Sequence, residues 1–238
     1  MKKKYAFSSI INLFKAVQSL FFPPICLGCK GPVAGNGILI CTTCQSNMPF
    51  TFFHKIRDNR MEMRFWGRIN IVQATSFLHF QKGSFVQNML HFLKYEHRED
   101  IGEYLGNWYG RELKQSRNYD HIDYVIPVPI HIKRLKKRGY NQITSFSVAL
   151  AKQIGKEYRG DMLIRIKHSN SQINRNREER FSHLEKAFLW INMEELKDRH
   201  ILIIDDIMTT GATFEAVCQP IVNISGIKIS ICTLAIAE

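Results

Sequence analysis

The stretch that decides the fold is HILIIDDIMTTGATFEA, residues 200–216. It begins with a continuous apolar run over 201–204, which is typical of a strand buried on both faces of a parallel sheet. Two adjacent carboxylates, Asp205 and Asp206, follow the run, and a threonine-rich turn leads into a helix-like segment. Ligands of open parallel sheets bind beyond the carboxyl ends of the strands, so the pattern predicts a binding site at this edge.

The two halves of this stretch favour the two ends of a ribose 5-phosphate. Adjacent carboxylates repel each other, so Asp205 and Asp206 need stabilising partners, such as paired ribose hydroxyls, a Mg²⁺ ion or a nearby cationic side chain. Backbone N–H groups at a helix start favour an anion, and a glycine lets the chain approach it closely. The alternative is an acidic strand end followed by an ordinary threonine N-cap. The predicted phosphate-binding residues are Thr209, Thr210, Gly211, Ala212 and Thr213.

The remaining pattern alternates strands and helices, which predicts an α/β fold with a parallel sheet covered on both faces. Ahead of that alternation, residues 69–80 show the period-two pattern of a strand and are expected to form a hairpin. Residues 83–100 and 101–115 have helical periodicity. The predicted strands of the sheet span 123–130, 162–166, 200–205 and 227–237, and the helices between them span 141–155 and 212–225.

Four early cysteines form two C-x2-C pairs separated by eleven residues. Two such pairs offer four thiolates to one tetrahedral ion, and a small segment with little core of its own needs that ion to fold. We therefore predict a structural Zn²⁺ site, with two disulfides or four free thiols as the alternative. Cys218 and Cys232 lie in apolar stretches and are expected to be buried core thiols. The predicted zinc ligands are Cys26, Cys29, Cys41 and Cys44.

Two domains are predicted. Residues 1–50 contain an amphipathic helix over 1–22 and the zinc module, and residues 51–238 contain the α/β domain with a helical and hairpin lead-in over 51–120. The basic, partly apolar N-terminus lacks the cleavage site of a signal peptide, so a cytoplasmic protein is expected. No apolar run reaches the length of a membrane-spanning helix.

The net charge of +12 suggests an anionic partner such as a nucleotide, a nucleic acid or a membrane surface. Residues 131–180 contain 13 Lys and Arg against 4 Asp and Glu, so 13 − 4 = 9 of the 12 excess charges lie there. Cations at this position could bind pyrophosphate or a nucleic-acid backbone, and Tyr140 could stack on a base; the alternative is solvent-exposed charge. The candidate contacts are Lys137, Arg138, Tyr140, Asn141, Gln142, Gln172 and Arg180.

Residues 201–213 resemble the phosphoribosyl-pyrophosphate motif of type I phosphoribosyltransferases. Over nearly its full length the chain is similar to the ComF family of competence-associated proteins, the ComFC/GntX group. His183 stands where that family usually has an asparagine. The stretches that carry the similarity are FFPPICLGC with CTTC, LKYEHRED (93–100), VIPVPIHIKRLKKRGYNQ (125–142), SQINRNREERFSHLEKAF (171–188) and the terminal motif.

The resemblance implies that Asp205 and Asp206 contact the ribose hydroxyls, that residues 209–213 surround the 5-phosphate, and that Mg²⁺ holds the pyrophosphate under a lid formed by the 167–180 loop. It also implies a role in DNA uptake, with single-stranded DNA and a helicase-like competence protein as partners. An active Mg²⁺-dependent phosphoribosyltransferase with an unidentified acceptor is the alternative, and no catalytic residue is assigned. A scaffold whose zinc module docks a partner is a third hypothesis.

Overall fold

The computed structural model describes residues 24–33, 37–166 and 187–237. The helix predicted over 1–22 and the polar loop predicted over 167–180 lie outside these residues. The chain divides into two units, Met1–Met48 and Pro49–Glu238. None of the helices in the described ranges is both long and apolar enough to cross a membrane.

The described part of the first unit is built around the four cysteines. An isolated bridge pairs Ile25 with Pro32, and this pairing closes the loop that carries the first cysteine pair. The second pair belongs to a short helix, α1 (Thr42–Ser46): Cys41 is its N-cap and Cys44 lies within it. The Cys41 sulfur accepts a hydrogen bond from the backbone N–H of Cys44 and so caps the helix.

The second unit contains a five-stranded parallel sheet in the order β1-β7-β6-β2-β3. The α/β fold class with a parallel sheet is therefore confirmed. A separate two-stranded sheet pairs β4 with β5 in antiparallel fashion. The strands are β1 (Gln73–Phe80), β2 (Tyr124–Pro127), β3 (Glu157–Tyr158), β4 (Leu163–Arg165), β5 (Phe188–Trp190), β6 (His200–Met208) and β7 (Lys228–Ala237).

The helices of the second unit fill the connections between these strands. Short 3-10 turns lie at Phe53–Lys55 and Met193–Leu196. The helices are α2 (Arg60–Met63), α3 (Phe85–Tyr95), α4 (Glu99–Ser116), α5 (Ile132–Arg138), α6 (Thr144–Ile154) and α7 (Ala212–Cys218).

Helices α4 and α6 pack against each other because α4 presents glycine at every fourth position. A Cβ on Gly106 would lie 2.3 Å from the carbonyl oxygen of Phe146, and a Cβ on Gly110 would lie 2.6 Å from the Cβ of Gln153. Larger residues at these positions would force the two helices apart. This close packing fixes the position of α6, which follows the residues that face the candidate site.

The central strand β6 is buried on both faces, as its continuous hydrophobic run requires, since Leu202 and Ile204 are as fully buried as the alternate residues of the run. One face of the sheet carries the main apolar core. Ile201 and Ile203 of β6 and Ile229 and Ile231 of β7 are fully or almost fully buried in that core. Cys218 and Cys232 are also buried, as predicted from their apolar surroundings.

Two strand predictions are wrong in their pairing. Residues 69–80 do not form a hairpin, because β1 pairs in parallel with β7, the last strand in sequence. The strand predicted over 162–166 does not join the parallel sheet. Its place beside β2 is taken by the two-residue strand β3, whereas β4 pairs with β5 in the small sheet. Period-two alternation identifies a strand, but not its partner.

Candidate functional site

The acidic pair lies within a strand rather than after one. Strand β6 continues to Met208, so Asp205 and Asp206 occupy consecutive positions of a nine-residue strand. Successive side chains of a strand point to opposite faces of the sheet. Asp205 continues the series of Ile201 and Ile203 toward the apolar core, and Asp206 points to the other face. The two carboxyl groups therefore have different environments.

Asp206 is buried in a polar network contributed by two other elements. Its Oδ2 atom lies 2.8 Å from the ammonium nitrogen of Lys94 in α3 and accepts a hydrogen bond of 2.8 Å from the side-chain amide of Gln142. The Oε1 atom of Gln142 accepts a hydrogen bond of 2.7 Å from Arg138, whose guanidinium lies 4.9 Å from the ring centre of Tyr95. This network ties α3 and the residues before α6 to the motif strand.

Asp205 is the more exposed member of the pair. One of its oxygens accepts a hydrogen bond of 2.8 Å from the backbone N–H of Asp206. Burial and the neighbouring Asp206 charge raise the pKa of Asp205, and the positive charges of Lys94 and Arg165 oppose that shift only in part. A ligand that donates hydrogen bonds or positive charge to this carboxyl group would favour its ionised form.

Two arginine side chains bind the carbonyl groups of the turn after β6. Arg64 donates hydrogen bonds to the carbonyl oxygens of Thr209 and Ala237, and Arg68 donates to the carbonyl of Thr210 at 3.2 Å. Arg68 also forms an ion pair with Glu215, which is buried. The backbone N–H groups of Thr209, Thr210, Gly211 and Thr213 donate no hydrogen bond to any described residue.

Gly211 allows the turn to take this shape. Its φ angle of +86° is in the left-handed region, and a Cβ added there would lie 3.0 Å from the ring of Phe65. Any other residue would be strained and would press on that ring. The turn therefore offers a row of backbone donors, and the hydroxyls of its threonines lie beside them. Such a row suits an anion with several oxygens, such as a phosphate.

A cavity of about 340 Å³ lies beyond the carboxyl end of β2 and beside the small sheet. Arg165 belongs to its wall and also interacts electrostatically with Asp205 and Arg134. Burial is the main cause of the lowered pKa of Arg165. Other lining residues include Pro127, Pro129, Ile130, Asn141, Tyr158 and Ile164.

The predicted basic contacts divide into exposed and buried groups. Lys137 is exposed on α5, whereas Arg138 is only 8% exposed and is bound to Gln142. The Tyr140 hydroxyl donates to the carbonyl of Leu93, and Asn141 donates to the carbonyl of Val128 at 3.0 Å. Arg138, Tyr140 and Asn141 therefore bind other parts of the protein near the acidic pair. The predictions on Gln172, Arg180 and His183 concern residues outside the described ranges.

The four early cysteines converge on one point. All four sulfur atoms lie within 4.8 Å of one another, and those of Cys29 and Cys41 are 3.7 Å apart. A tetrahedral ion with metal–sulfur distances of about 2.3 Å would separate its ligands by about 3.8 Å. The group could therefore hold a metal ion, and four thiolates suit Zn²⁺.

One ligand of this cluster already favours the thiolate. Burial opposes ionisation of Cys26, but the backbone N–H groups of Cys41, Cys29 and Gly28 outweigh it and lower the pKa of the thiol to about 6. The N–H groups of Gly28 and Cys41 each lie 3.3 Å from its sulfur. Metal binding requires deprotonated thiols, so these donors prepare the site.

Comparisons with known proteins agree with this geometry. Residues 144–237 match the family profile of the phosphoribosyl transferase domain. The chain is 28% identical to "Competence protein F" of Haemophilus influenzae over 110 residues. These residues are 46% of this chain and 48% of that protein. These matches support a ComF-family protein with a phosphoribosyltransferase-like domain.

A second group of relatives, which share one name, matches a longer segment of the chain. "DNA utilization protein YhgH" of Salmonella typhi is 27% identical over 135 residues, which are 55% of this chain and 58% of that protein. The protein of the same name from Escherichia coli K12 is 25% identical over a segment of the same length. The matched segments of this chain thus span about half the length of its curated relatives.

Several residues around the motif are absent from the sequence-based prediction. Lys94 lies in the LKYEHRED stretch, which carries the family resemblance but gives no indication of its partner. Arg165 is the one charged residue of the apolar segment MLIRI (162–166), and a charge isolated in this way is the sequence signal that indicates a functional side chain. Arg64 and Arg68 are four residues apart in the turns that follow α2, but nothing in the sequence connects Arg64 to Thr209, 145 residues later.

Proposed function

We propose that this ComF-family protein binds phosphoribosyl pyrophosphate or a related nucleotide at the carboxyl end of β6. The observation that supports this most directly is the turn after β6, where Arg64 and Arg68 bind the carbonyl groups while neighbouring amides lack partners. The turn would take the 5-phosphate, with Thr209, Thr210, Gly211, Ala212 and Thr213 around it. The acidic pair would take the ribose hydroxyls.

Asp205 would make the main ribose contact. Asp206 already has Lys94 and Gln142 as partners, whereas Asp205 accepts one hydrogen bond from a backbone N–H group. Ribose hydroxyls donate hydrogen bonds to a carboxylate and would offset the cost of ionising Asp205. The role of Asp206 would be to hold Lys94 beside the ligand and, in a rearranged network, to contact the second hydroxyl.

A Mg²⁺ ion would accompany the pyrophosphate, because this hard cation binds substrate phosphates together with one or two carboxylates. Asp205 would be the carboxylate that contacts the ion, because Asp206 is already bound to Lys94 and Gln142. Arg165 and Arg134, which interact electrostatically near Asp205, would add positive charge for the pyrophosphate. The four-cysteine cluster would hold a structural Zn²⁺ ion.

We further propose a role in DNA uptake in the cytoplasm. The names of the relatives, a competence protein and a DNA utilization protein, supply the biological context. The net charge of +12 supports binding to a nucleic-acid backbone, and α5 carries four exposed cations. Single-stranded DNA and a helicase-like competence protein would be the partners. The four cations are Lys133, Arg134, Lys136 and Lys137.

The first test is direct binding of phosphoribosyl pyrophosphate with Mg²⁺ by calorimetry. Asp205→Asn should weaken binding about tenfold or more, because hydrogen bonds to a charged group contribute about 1.5–3 kcal/mol. Asp120→Asn, which removes the same charge from an exposed position, serves as the control and should bind normally. Equal affinity of Asp205→Asn and the unmodified protein would contradict the proposed ribose contact.

The second test is the salt dependence of single-stranded DNA binding. Replacing the four α5 cations with alanine should lower the slope of log K against log salt by about 2–3, since each phosphate contact contributes about 0.7 to that slope. Lys114, Lys152, Lys197 and Lys228 are exposed elsewhere, and their joint replacement is the charge-matched control. An unchanged slope in the α5 variant would exclude this helix as the DNA contact.

The second candidate function is an active phosphoribosyltransferase, and the 340 Å³ cavity beside Arg165 favours it. A nucleophile in that cavity would attack the anomeric carbon, the bond to pyrophosphate would break, and pyrophosphate would leave with its electron pair. The protein would orient both reactants and stabilise the departing charge. Pyrophosphate release with a panel of nucleobase acceptors distinguishes this activity from ligand binding alone.

A further inference from the structure

A second cavity, of about 100 Å³, lies on the Pro49–Glu238 unit beside the edge strand β1 and helix α4. None of its lining residues belongs to the acidic pair or to the turn that follows it. Four of the six carry aromatic rings other than histidine, and two are polar. The lining residues are Phe50, Phe52, His54, Phe77, Trp108 and Glu112.

The aromatic rings form a cage around Phe50. Its ring centre lies 5.2 Å from that of Trp108, 5.3 Å from that of Phe77 and 5.6 Å from that of Phe52. Phe52 has a φ angle of 56°, a left-handed conformation that is unfavourable for a bulky residue. Strain of this kind persists where the surrounding structure fixes the backbone, so the cage has a defined shape. Aromatic faces attract cations through their quadrupoles.

The two polar residues of the cage, His54 and Glu112, offer hydrogen-bond acceptors to a ligand. His54 is only 5% exposed, and neither of its ring nitrogens has a hydrogen-bond partner among the described residues. Burial and the adjacent charge of Lys55 lower the pKa of His54, which keeps the ring neutral and leaves one nitrogen as an acceptor. The Oε2 atom of Glu112 lies 3.8 Å from Nε2 of that ring. An apolar ligand would bury these acceptors unsatisfied, which is costly.

The chain itself places a cation at the rim of this cage. The ammonium nitrogen of Lys55 lies 5.5 Å from the ring centre of Phe52 and 3.7 Å from Oε2 of Glu112. Its side chain is 55% exposed, so it can move away without unfolding the site. The rim of the cage therefore already accommodates positive charge beside an aromatic face and a carboxylate.

The volume limits what can enter. A cavity of about 150 Å³ accommodates a benzene molecule, so one of 100 Å³ is too small for a nucleobase and suits a smaller charged head group. A guanidinium fits better than an ammonium because it is planar, stacks on aromatic faces, and directs several N–H donors at separate acceptors. Here the acceptors are Glu112 and the free nitrogen of His54.

We propose that this aromatic cage binds the guanidinium group of an arginine side chain from a partner protein. The guanidinium lies against the faces of Phe50 and Trp108, donates to Glu112 and His54, and displaces the ammonium of Lys55. The cage would thereby provide a docking site for a protein partner that is separate from the phosphoribosyl site.

The experiment uses the indole N–H signals of the 15N-labelled full-length chain, which contains three tryptophans. The Trp108 signal is assigned by its loss in Trp108→Phe. N-acetylarginine methylamide is titrated against its neutral isostere, the citrulline derivative. The arginine derivative should shift the Trp108 signal in the millimolar range, and the citrulline derivative should leave it unchanged.

Two opposite variants make the test specific. Glu112→Gln should weaken binding about threefold to fivefold by removing the carboxylate, and Lys55→Gln should strengthen it by a similar factor by removing a competing cation. An increase in affinity cannot result from misfolding, so Lys55→Gln remains informative if Glu112→Gln is unstable. Equal shifts with the citrulline derivative, no shift with either compound, or unchanged affinity in both variants would overturn the proposal.

Discussion

Replacing Cys41 with serine is expected to release one zinc ion per chain and to unfold the described part of the Met1–Met48 unit. The four sulfur atoms lie within 4.8 Å of one another, so the loss of one ligand leaves an incomplete shell. Structural zinc contributes about 10–16 kcal/mol of apparent binding free energy in small modules, which exceeds the stability such a segment can reach alone. Metal content and amide exchange of residues 24–48 measure the two effects.

Thr42→Ser, an exposed neighbour in the same helix, is the control and should retain zinc. Removing the ion from the unmodified protein with a chelator should reproduce the effect of Cys41→Ser. The Pro49–Glu238 unit should remain folded in both cases, because the hydrophobic cluster on its sheet is formed by residues from Phe53 onward. A purified protein in which these cysteines form disulfides, or in which the module stays folded without metal, would contradict the prediction.

The second large effect is expected at Lys94. Its ammonium lies 2.8 Å from Oδ2 of Asp206, and the two side chains are 21% and 9% exposed. Lys94→Met would leave the carboxylate largely buried with Gln142 as its remaining side-chain partner. Removing one member of a buried pair costs about 3–5 kcal/mol, because the other charge is left uncompensated. Urea denaturation of the two proteins measures this loss in the free energy of unfolding.

The double variant Lys94→Met, Asp206→Asn should recover most of the lost stability, since it removes the uncompensated charge as well. Lys152→Met, at an exposed position of α6, controls for the loss of a lysine and should change stability little. If Lys94→Met lowered the free energy of unfolding by less than about 1 kcal/mol, the pair would behave as a surface ion pair. The buried network described for Asp206 would then be wrong.

This pair also separates the two acidic residues in function. Asp206 stabilises the packing of α3 and the residues before α6 on the sheet, whereas Asp205 is available to a ligand. The binding and stability experiments should therefore identify different residues. Asp205→Asn should affect ligand affinity more than stability, and Lys94→Met should do the reverse.

The sequence predicted the central strands well because their burial on both faces requires long apolar runs. The run before Asp205 and the final strand, β7, were both recognised in this way. Edge strands carry a weaker pattern, so the pairing of β1 was mistaken for a hairpin and the two-residue β3 was missed. Their positions depend on contacts with strands that are more than 25 residues distant in sequence.

The sequence by itself determined the α/β class, the four cysteines as one potential metal group, and the motif strand with its acidic pair and glycine turn. These features rest on local spacing, which the order of residues contains directly. Only the tertiary structure decided which carboxylate is accessible, because strand alternation sends Asp205 and Asp206 to opposite faces and Lys94 reaches Asp206 from a distant helix. It likewise decided that Arg64 and Arg68 orient the turn and that the rings of Phe77 and Trp108 meet that of Phe50 beside Glu112, since these contacts join residues far apart in sequence.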